Sequence, residues 1–367
     1  MVDIFISFYI LGSSQKILDL YTDYLISQNK YATSTGLSSL LEGSISHDKI
    51  TRFLNREELS GKDLWLYIKP QIREVESEGG ALILDDCIEE KPYTDENEIM
   101  CWHYSHSKGM HVKGVNLLSC IVQYGDVSLP IGYEIVHKDV KFSDIETKKE
   151  KRKASTTKNE HFRNLLNQAY INKVSFEWVL ADNWFGSKEN IEYINNTLMK
   201  KLIIGIKSNR TVALSEEDKK KGEFTKVSKL DLKDGQSIQV WMKGLDFALQ
   251  LIKKIFINED GSTGTLYLVS NDLDSSADYL YVIYQKRWKI ELYHKSIKQN
   301  ASLAKSPTKR VISQSNHIFS SLVAFCKLEL LKIQTATNHF ALKFKLLVKA
   351  NQAAFLELNN LRESSCA

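Results

Sequence analysis

Ala81-Leu-Ile-Leu-Asp85-Asp86 sets four apolar residues directly before two aspartates, just after the turn-forming Glu78-Gly-Gly80. A short, continuous apolar run bounded by a glycine turn reads as a buried strand, here one that stops at the edge of a sheet. Phe176-Glu-Trp-Val-Leu-Ala181 is a second such run, and it also ends in an acid, Asp182. Strand ends are where α/β folds gather their reacting groups. One aspartate at a strand end is ordinary; two of them direct attention to carboxylate chemistry.

Outward from these strands, the chain alternates between helical and extended patterns. Residues 13 to about 78 read as helical, with Ile17, Leu20, Tyr21 and Tyr24 at helical spacing and Leu37, Leu40 and Leu41 after them. Leu40 to Leu54 has the outline of helix, glycine turn and second helix capped by Ser46, a helix-turn-helix that would offer His47, Lys49, Thr51 and Arg52 to DNA. Val115–Tyr124 and Val127–Val136 flank Gly125-Asp126 as a hairpin. A basic, polar linker over 139–157, a helix over about 158–170, a helix from Ser187 and the strand Lys201–Ile206 follow. Residues 207–275 alternate in short stretches between Asp/Gly turns and read as a β-rich insertion; helices run from Ser276 onward. The expected architecture is a mixed α/β core split by that insertion, with helical regions at both ends. Its expected segments are 1–80, 81–206, 207–275, 276–340 and 341–367.

Composition narrows the class without deciding it. The 367 residues are 43% hydrophobic and 26% charged, ordinary for a globular protein, and the net charge of +4 permits a nucleic-acid partner. Basic clusters recur at 148–153, at 219–221 and between Lys286 and Lys298. Five cysteines with no CxxC pair argue for a reducing compartment. Cys101, His103, His106 and His111 match no common zinc-ligand spacing. The apolar run Val2–Leu11 is short, lacks a basic leader and contains Asp3, so it reads as neither signal peptide nor membrane span. A cytoplasmic protein is expected.

The helix read over 284–298 supplies the third acid. Tyr284, Arg287, Glu291 and Lys298 sit at offsets that, at about 100° per residue, fall within an arc of roughly 60° on a helix. Glu291 with Asp85 and Asp182 would give the hard oxygen donors that Mg²⁺ requires, and two such ions about 4 Å apart can activate a water and stabilise a leaving oxygen of a phosphodiester. Arg287 would fork onto a phosphate, Lys298 and Lys295 would add point charges, and Tyr284 would hydrogen-bond or stack. Lys207 and Arg210, just past a core strand, are further candidates for phosphate contact. Trp102, His103, His106, Lys108, His111 and Lys113 could touch DNA or simply pack, and Trp184 could stack on a base.

Tyr284-x2-Arg287-x3-Glu291-x6-Lys298 resembles the Tyr-Arg-Glu-Lys signature of DDE transposases of bacterial insertion sequences, the cut-and-paste class. Leu82–Cys87 is similar to that family's first acidic motif and Ala181–Phe185 to its second. The resemblance covers residues 80 to about 340. It implies a ribonuclease-H-like catalytic core with a β-rich insertion between the second Asp and the Glu, and catalytic, metal-holding roles for Asp85, Asp182 and Glu291. The family pattern of acid, any residue, then Thr or Ser favours Asp85, with Cys87 in the hydroxyl place; Asp86 stays as the alternative ligand. Mg²⁺, with Mn²⁺ as a substitute and two ions bound, is the implied cofactor. Double-stranded DNA (terminal inverted repeats and target) is the implied partner, with a homodimer in the DNA complex. Two other readings stay open: a catalytically silent DNA-binding regulator, and a nuclease on the same core. Trp241 lies in the insertion but matches no family position by spacing.

Overall fold

The structure, a computed structural model, describes residues 12–106, 108–146, 148, 150–258 and 260–365. The run Val2–Leu11 and Cys366 therefore lie outside the described residues. In chain order the first helices are α1 (Gly12–Ser27), α2 (Ser34–Leu40), α3 (His47–Leu54) and α4 (Gly61–Val75). Strands β1 (Ala81–Glu90), β2 (Cys101–Ser105), β3 (Met110–Tyr124) and β4 (Val127–Ile135) follow, with the short pair β5 (Val140–Ser143) and β6 (Glu150–Lys153). Then come α5 (Lys158–Ile171), β7 (Trp178–Ala181), α6 (Lys188–Glu192) and β8 (Lys201–Ile206). Residues beyond Ile206 form β9 (Thr211–Ala213), α7 (Glu216–Lys221), β10 (Thr225–Lys226), β11 (Ser237–Met242), β12 (Leu249–Ile257) and β13 (Thr263–Ser270). Four helices close the chain: α8 (Ala277–Gln285), α9 (Trp288–Gln299), α10 (Val311–Thr335) and α11 (His339–Ser365). Among the described residues, no helix is long and apolar enough to cross a membrane.

Two compact units divide the chain. One holds the described residues of 1–71, 88–116 and 292–367; the other holds 72–87 and 117–291. The second is built on a mixed sheet of order β4-β3-β1-β7-β8-β13-β12-β11-β9-β10. Its centre is parallel: Ala81 to Leu84 pair with Trp178 to Ala181, which pair in turn with Lys201 to Ile204. These are the continuous apolar runs of the sequence, and all but Lys201 are fully or nearly fully buried. Parallel neighbours need crossover connections, and α5 and α6 supply them. Gly132 on β4 leaves the room that Leu165 of α5 occupies, since a Cβ there would lie 3.0 Å from Leu165 Cδ2. The β3–β4 hairpin turns at Gly125-Asp126, with Gly125 at φ 54°. The fold is mixed α/β with a ribonuclease-H-like core.

A capping box starts α5. The Thr157 hydroxyl accepts from the Glu160 N–H at 3.2 Å while the Thr157 N–H donates to the Glu160 carboxylate at 2.6 Å. Thr157→Ala is expected to cost about 1 kcal/mol of stability, read as a lowered urea midpoint at unchanged slope. An unchanged midpoint would mean that α5 is held by packing alone.

The other unit is mainly helical. Ser46 caps α3 through the Lys49 N–H at 3.4 Å, so the expected helix, turn and capped helix are present. Buried Asn316 on α10 fastens the end of α3: its amide nitrogen donates to the carbonyls of Leu54 (3.0 Å) and Glu57 (2.8 Å), and its oxygen accepts from the Leu59 N–H (2.8 Å). Tyr21 of α1 bonds to His317 Nδ1 at 2.9 Å in the same core.

Two elements differ from the sequence expectation. The strand read over 81–84 continues to Glu90, so Asp85 lies within β1 rather than at its end. The basic linker contains the β5–β6 hairpin, with ion pairs Lys141–Glu150 (2.9 Å) and Lys151–Asp144 (2.6 Å) drawing its two strands together. Residues 207–275 are β-rich as expected, and their strands extend the core sheet, because β13 pairs antiparallel with β8 from Tyr267↔Ile206 to Ser270↔Ile203.

Candidate active site

The parallel register positions the first two acids. Leu84 pairs with Ala181, and each is followed directly by an aspartate, Asp85 on β1 and Asp182 just past β7. In-register neighbours lie about 5 Å apart across a sheet and point to the same face, so these two carboxylates start side by side. Side chains alternate along a strand, which sends Asp86 to the other face. There its carboxylate pairs with Lys158 of α5 at 2.7 Å.

The loop after Asp182 is held tightly. The Asp182 carboxylate accepts from the Trp184 N–H at 2.9 Å, and the Asp182 carbonyl accepts from the Phe185 N–H at 3.3 Å. Phe185 is fully buried and stacks on Phe162 of α5 at 4.8 Å between centroids. Two glycines let this loop lie on β8: a Cβ at Gly205 would come within 2.9 Å of the Asn183 nitrogen, and one at Gly186 within 2.6 Å of the Gly205 carbonyl oxygen. Neither glycine was singled out in the sequence, although a glycine inside a strand signals close backbone approach.

The third acid arrives on a broken helix. The single helix expected over 284–298 is two, α8 and α9, joined by a tight turn at Lys286-Arg287. Successive three-residue hydrogen bonds make that turn: Lys286 N–H to Ile283 O (3.0 Å), Arg287 N–H to Tyr284 O (2.8 Å) and Lys289 N–H to Lys286 O (3.0 Å). Tightened in this way, the chain still presents its functional groups together. The Arg287 guanidinium lies 3.4 Å from the Asp85 carboxylate, 3.3 Å from that of Glu291 and 5.9 Å from the Tyr284 ring centroid. Carboxylate oxygens of Asp85 and Glu291 approach within 4.8 Å of one another. Glu291 sits in the first turn of α9, where the helix dipole favours an anion.

Burial and like charge set the electrostatics. Burial, with Asp182, Asp86 and Glu291 adding their negative charge against the opposing Arg287, pushes the Asp85 carboxyl up to about 8. Burial also raises the Asp182 carboxyl, against its backbone hydrogen bond from Trp184. Burial raises the Tyr284 phenol to about 12, so it stays a neutral donor. Hard oxygen donors crowded to this degree suit a divalent cation, whose charge would relieve the repulsion. Asp85, Asp182 and Glu291 are the residues that could hold such ions. His294, buried one turn beyond Glu291 on α9, was not singled out in the sequence.

The raised Asp85 carboxyl has a consequence for stability. Unfolded, it titrates near 3.8, whereas in the folded protein it keeps its proton to about pH 8. Its contribution is thus fully present below about pH 4 and is lost as pH rises toward 8. Without divalent metal, the unfolding free energy of the wild type is expected to fall between pH 5 and pH 8 by an amount on the order of a few kcal/mol. Asp85→Asn should flatten that profile; equal slopes for the two proteins would contradict the assignment.

The remaining sequence candidates are distributed as follows. Trp184 is 44% exposed, with the ammonium groups of Lys158 and Lys207 at 5.4 and 5.5 Å from its ring centroid. Arg210 donates to the Gly186 carbonyl at 3.1 Å. Lys298 donates to the Ile88 carbonyl at 2.7 Å, and Lys295 lies 5.2 Å over the Phe340 ring. His47, Lys49, Thr51 and Arg52 are exposed on α3, with Ile50 and Leu54 turned into the core. Cys101 donates its thiol to the Asn97 carbonyl at 2.8 Å, and Cys87, Cys101, Cys120 and Cys326 are buried.

Residues 11–223 match the family described as DDE superfamily endonuclease. Residues 147–326 match the family described as transposase DDE domain. No curated protein matches the chain. Among solved structures, the Drosophila P element transposase strand transfer complex aligns over 95% of this chain and 87% of its own, at 8% identity and a TM-score of 0.28.

Proposed function

The chain belongs to the DDE superfamily of endonucleases, and from that premise we propose that it is the cut-and-paste transposase of a bacterial insertion sequence. The observation that carries this reading is the gathering of Asp85, Glu291 and Arg287 within hydrogen-bonding range, with Asp182 following the residue paired to Leu84 and raising the Asp85 carboxyl by its charge. In this reading the protein binds the inverted-repeat ends of its element, cleaves a phosphodiester at each end and joins the 3′-hydroxyls to target DNA.

Asp85, Asp182 and Glu291 would hold two Mg²⁺ ions, for which Mn²⁺ would substitute, and Asp86 serves α5 through Lys158. When bound, the ions supply activation of the attacking oxygen and stabilisation of the leaving one. Arg287, now buttressing the acids, turns one face of its guanidinium to the scissile phosphate, and the neutral Tyr284 phenol orients that group. Lys295, Lys298, Lys207 and Arg210 grip flanking phosphates. Tyr284, Arg287, Glu291 and Lys298 thereby act as the Tyr-Arg-Glu-Lys signature. Residues 1–80 bind DNA through α3, with Lys49 and Arg52 on its exposed side, while 81–206 and 276–340 form the catalytic core around 207–275 and 341–367 forms a helical tail. Synapsis of two ends makes the working form a homodimer, and the site of action is the cytoplasm.

The test uses DNA spanning each boundary of the gene's own flanking repeats, a supercoiled target plasmid and either Mg²⁺ or Mn²⁺. Cleavage at the repeat boundaries together with joints between repeat 3′ ends and plasmid is the expected result. Hydrolysed ends without joints would assign a nuclease, and binding without cleavage a silent regulator.

A further inference from the structure

The hairpin of β2 and β3 shows an outward face built from the wrong residues for ordinary solvent exposure. Along β2 the burial alternates: Cys101 and His103 are buried, whereas Trp102 and Tyr104 are 51% and 48% exposed. Antiparallel register sets Trp102 opposite Lys113 and Tyr104 opposite His111. The side chains meet across the strands: the Lys113 ammonium lies 6.0 Å from the Trp102 ring centroid, and the Tyr104 ring makes edge contacts with His111 at 5.3 Å and His106 at 5.0 Å. Lys108, near the tip, reaches back to Glu90 at 2.7 Å. On this face Trp102 and Tyr104 of β2 stand opposite Lys113 and His111 of β3, and residues 101–114 contain no carboxylate.

We propose that this ribbon face binds unpaired nucleotides of DNA, with Trp102 and Tyr104 stacking on bases and Lys113, His111 and His106 facing the phosphates. The proposal names a partner surface beyond the acidic site and takes from the transposase reading only the choice of DNA. Two observations select this occupant. Exposed rings on β2, the edge strand beside β3 in the sheet, offer flat faces that match unstacked bases, which a paired duplex does not present. The Lys113 ammonium beside Trp102 complements a phosphate backbone and would repel a basic protein surface. Burying two large aromatics against a protein partner needs no such flanking charge.

Fluorescence anisotropy of a labelled 15-nucleotide single strand tests this on the full-length protein, with the same sequence as duplex alongside. Trp102→Ala and Tyr104→Ala should each weaken single-strand binding about tenfold or more, as loss of one stacked base implies, with duplex affinity changed less than about threefold. Tyr104→Phe should retain binding, and Tyr170→Ala, an exposed tyrosine on α5, should leave it unchanged. Circular dichroism identifies any variant that fails to fold, in which case Tyr104→Leu, which keeps the bulk and loses the ring, replaces it. Wild-type affinity for single strands in the Ala variants, or in Tyr104→Leu, would overturn the proposal, as would absence of single-strand binding by the wild type. Loss of end cleavage with ribbon binding intact would count against the transposase reading alone.

Discussion

Glu291→Gln is expected to lower divalent-metal-dependent cleavage at the repeat boundary by at least about a thousandfold, since several kcal/mol of charge stabilisation disappear at about 1.4 kcal/mol per decade. The substitution keeps the shape of the side chain and one oxygen while removing the charge that a cation needs. Its effect on folding should be small: the Arg287 contact at 3.3 Å involves a glutamate 40% exposed, and such pairs are worth about 1 kcal/mol or less. DNA affinity in the absence of Mg²⁺ should change less than threefold, because a carboxylate does not attract phosphate. Gel-shift and cleavage assays on the same preparation separate the two effects. Cleavage at the wild-type rate would remove Glu291 from the chemistry.

Arg287→Met should show the second large effect, in stability as well as activity. Its guanidinium, 16% exposed, lies between Asp85 and Glu291. Removing it leaves Asp85 beside Asp182 and Glu291 with no counter-charge. Breaking a buried ion pair from one side costs about 3–5 kcal/mol; the partial exposure of Glu291 reduces the expectation to about 2–4 kcal/mol at pH 8 in metal-free buffer. The cost should shrink at pH 5, where Asp85 is protonated. Millimolar Mn²⁺ should raise the unfolding midpoint more in Arg287→Met than in the wild type, because the cation takes over the lost neutralisation. Equal urea midpoints for the two proteins at pH 8 would show that Arg287 does not balance the acids.

Much of this site was legible from local pattern. The runs Ala81–Leu84 and Trp178–Ala181 read as buried strands, and their parallel pairing through Leu84 and Ala181 sets the aspartate that follows each run on adjacent strands. Glu291 was readable from its spacing to Tyr284 and Arg287. What escaped the sequence depends on contacts between distant residues. No glycine or proline marks the break between α8 and α9; it occurs where Arg287 reaches Asp85, 202 positions away. The extension of β1 to Glu90 runs through alternating acidic residues, which carry little strand signal. The β5–β6 hairpin is held by charge pairs across a Lys-rich stretch that otherwise reads as linker. The pairing of β13 with β8 joins segments whose own patterns say only that each is a strand.

The central claim is that Asp85, Asp182 and Glu291 share divalent cations. Electron paramagnetic resonance of free Mn²⁺, titrated into the metal-free protein at pH 8, measures this directly. The wild type should bind up to two ions per chain, and Asp85→Asn, Asp182→Asn and Glu291→Gln should each lose affinity at least tenfold, whereas Asp86→Asn should not. Equal Mn²⁺ binding by the wild type and all three acid variants would contradict the account.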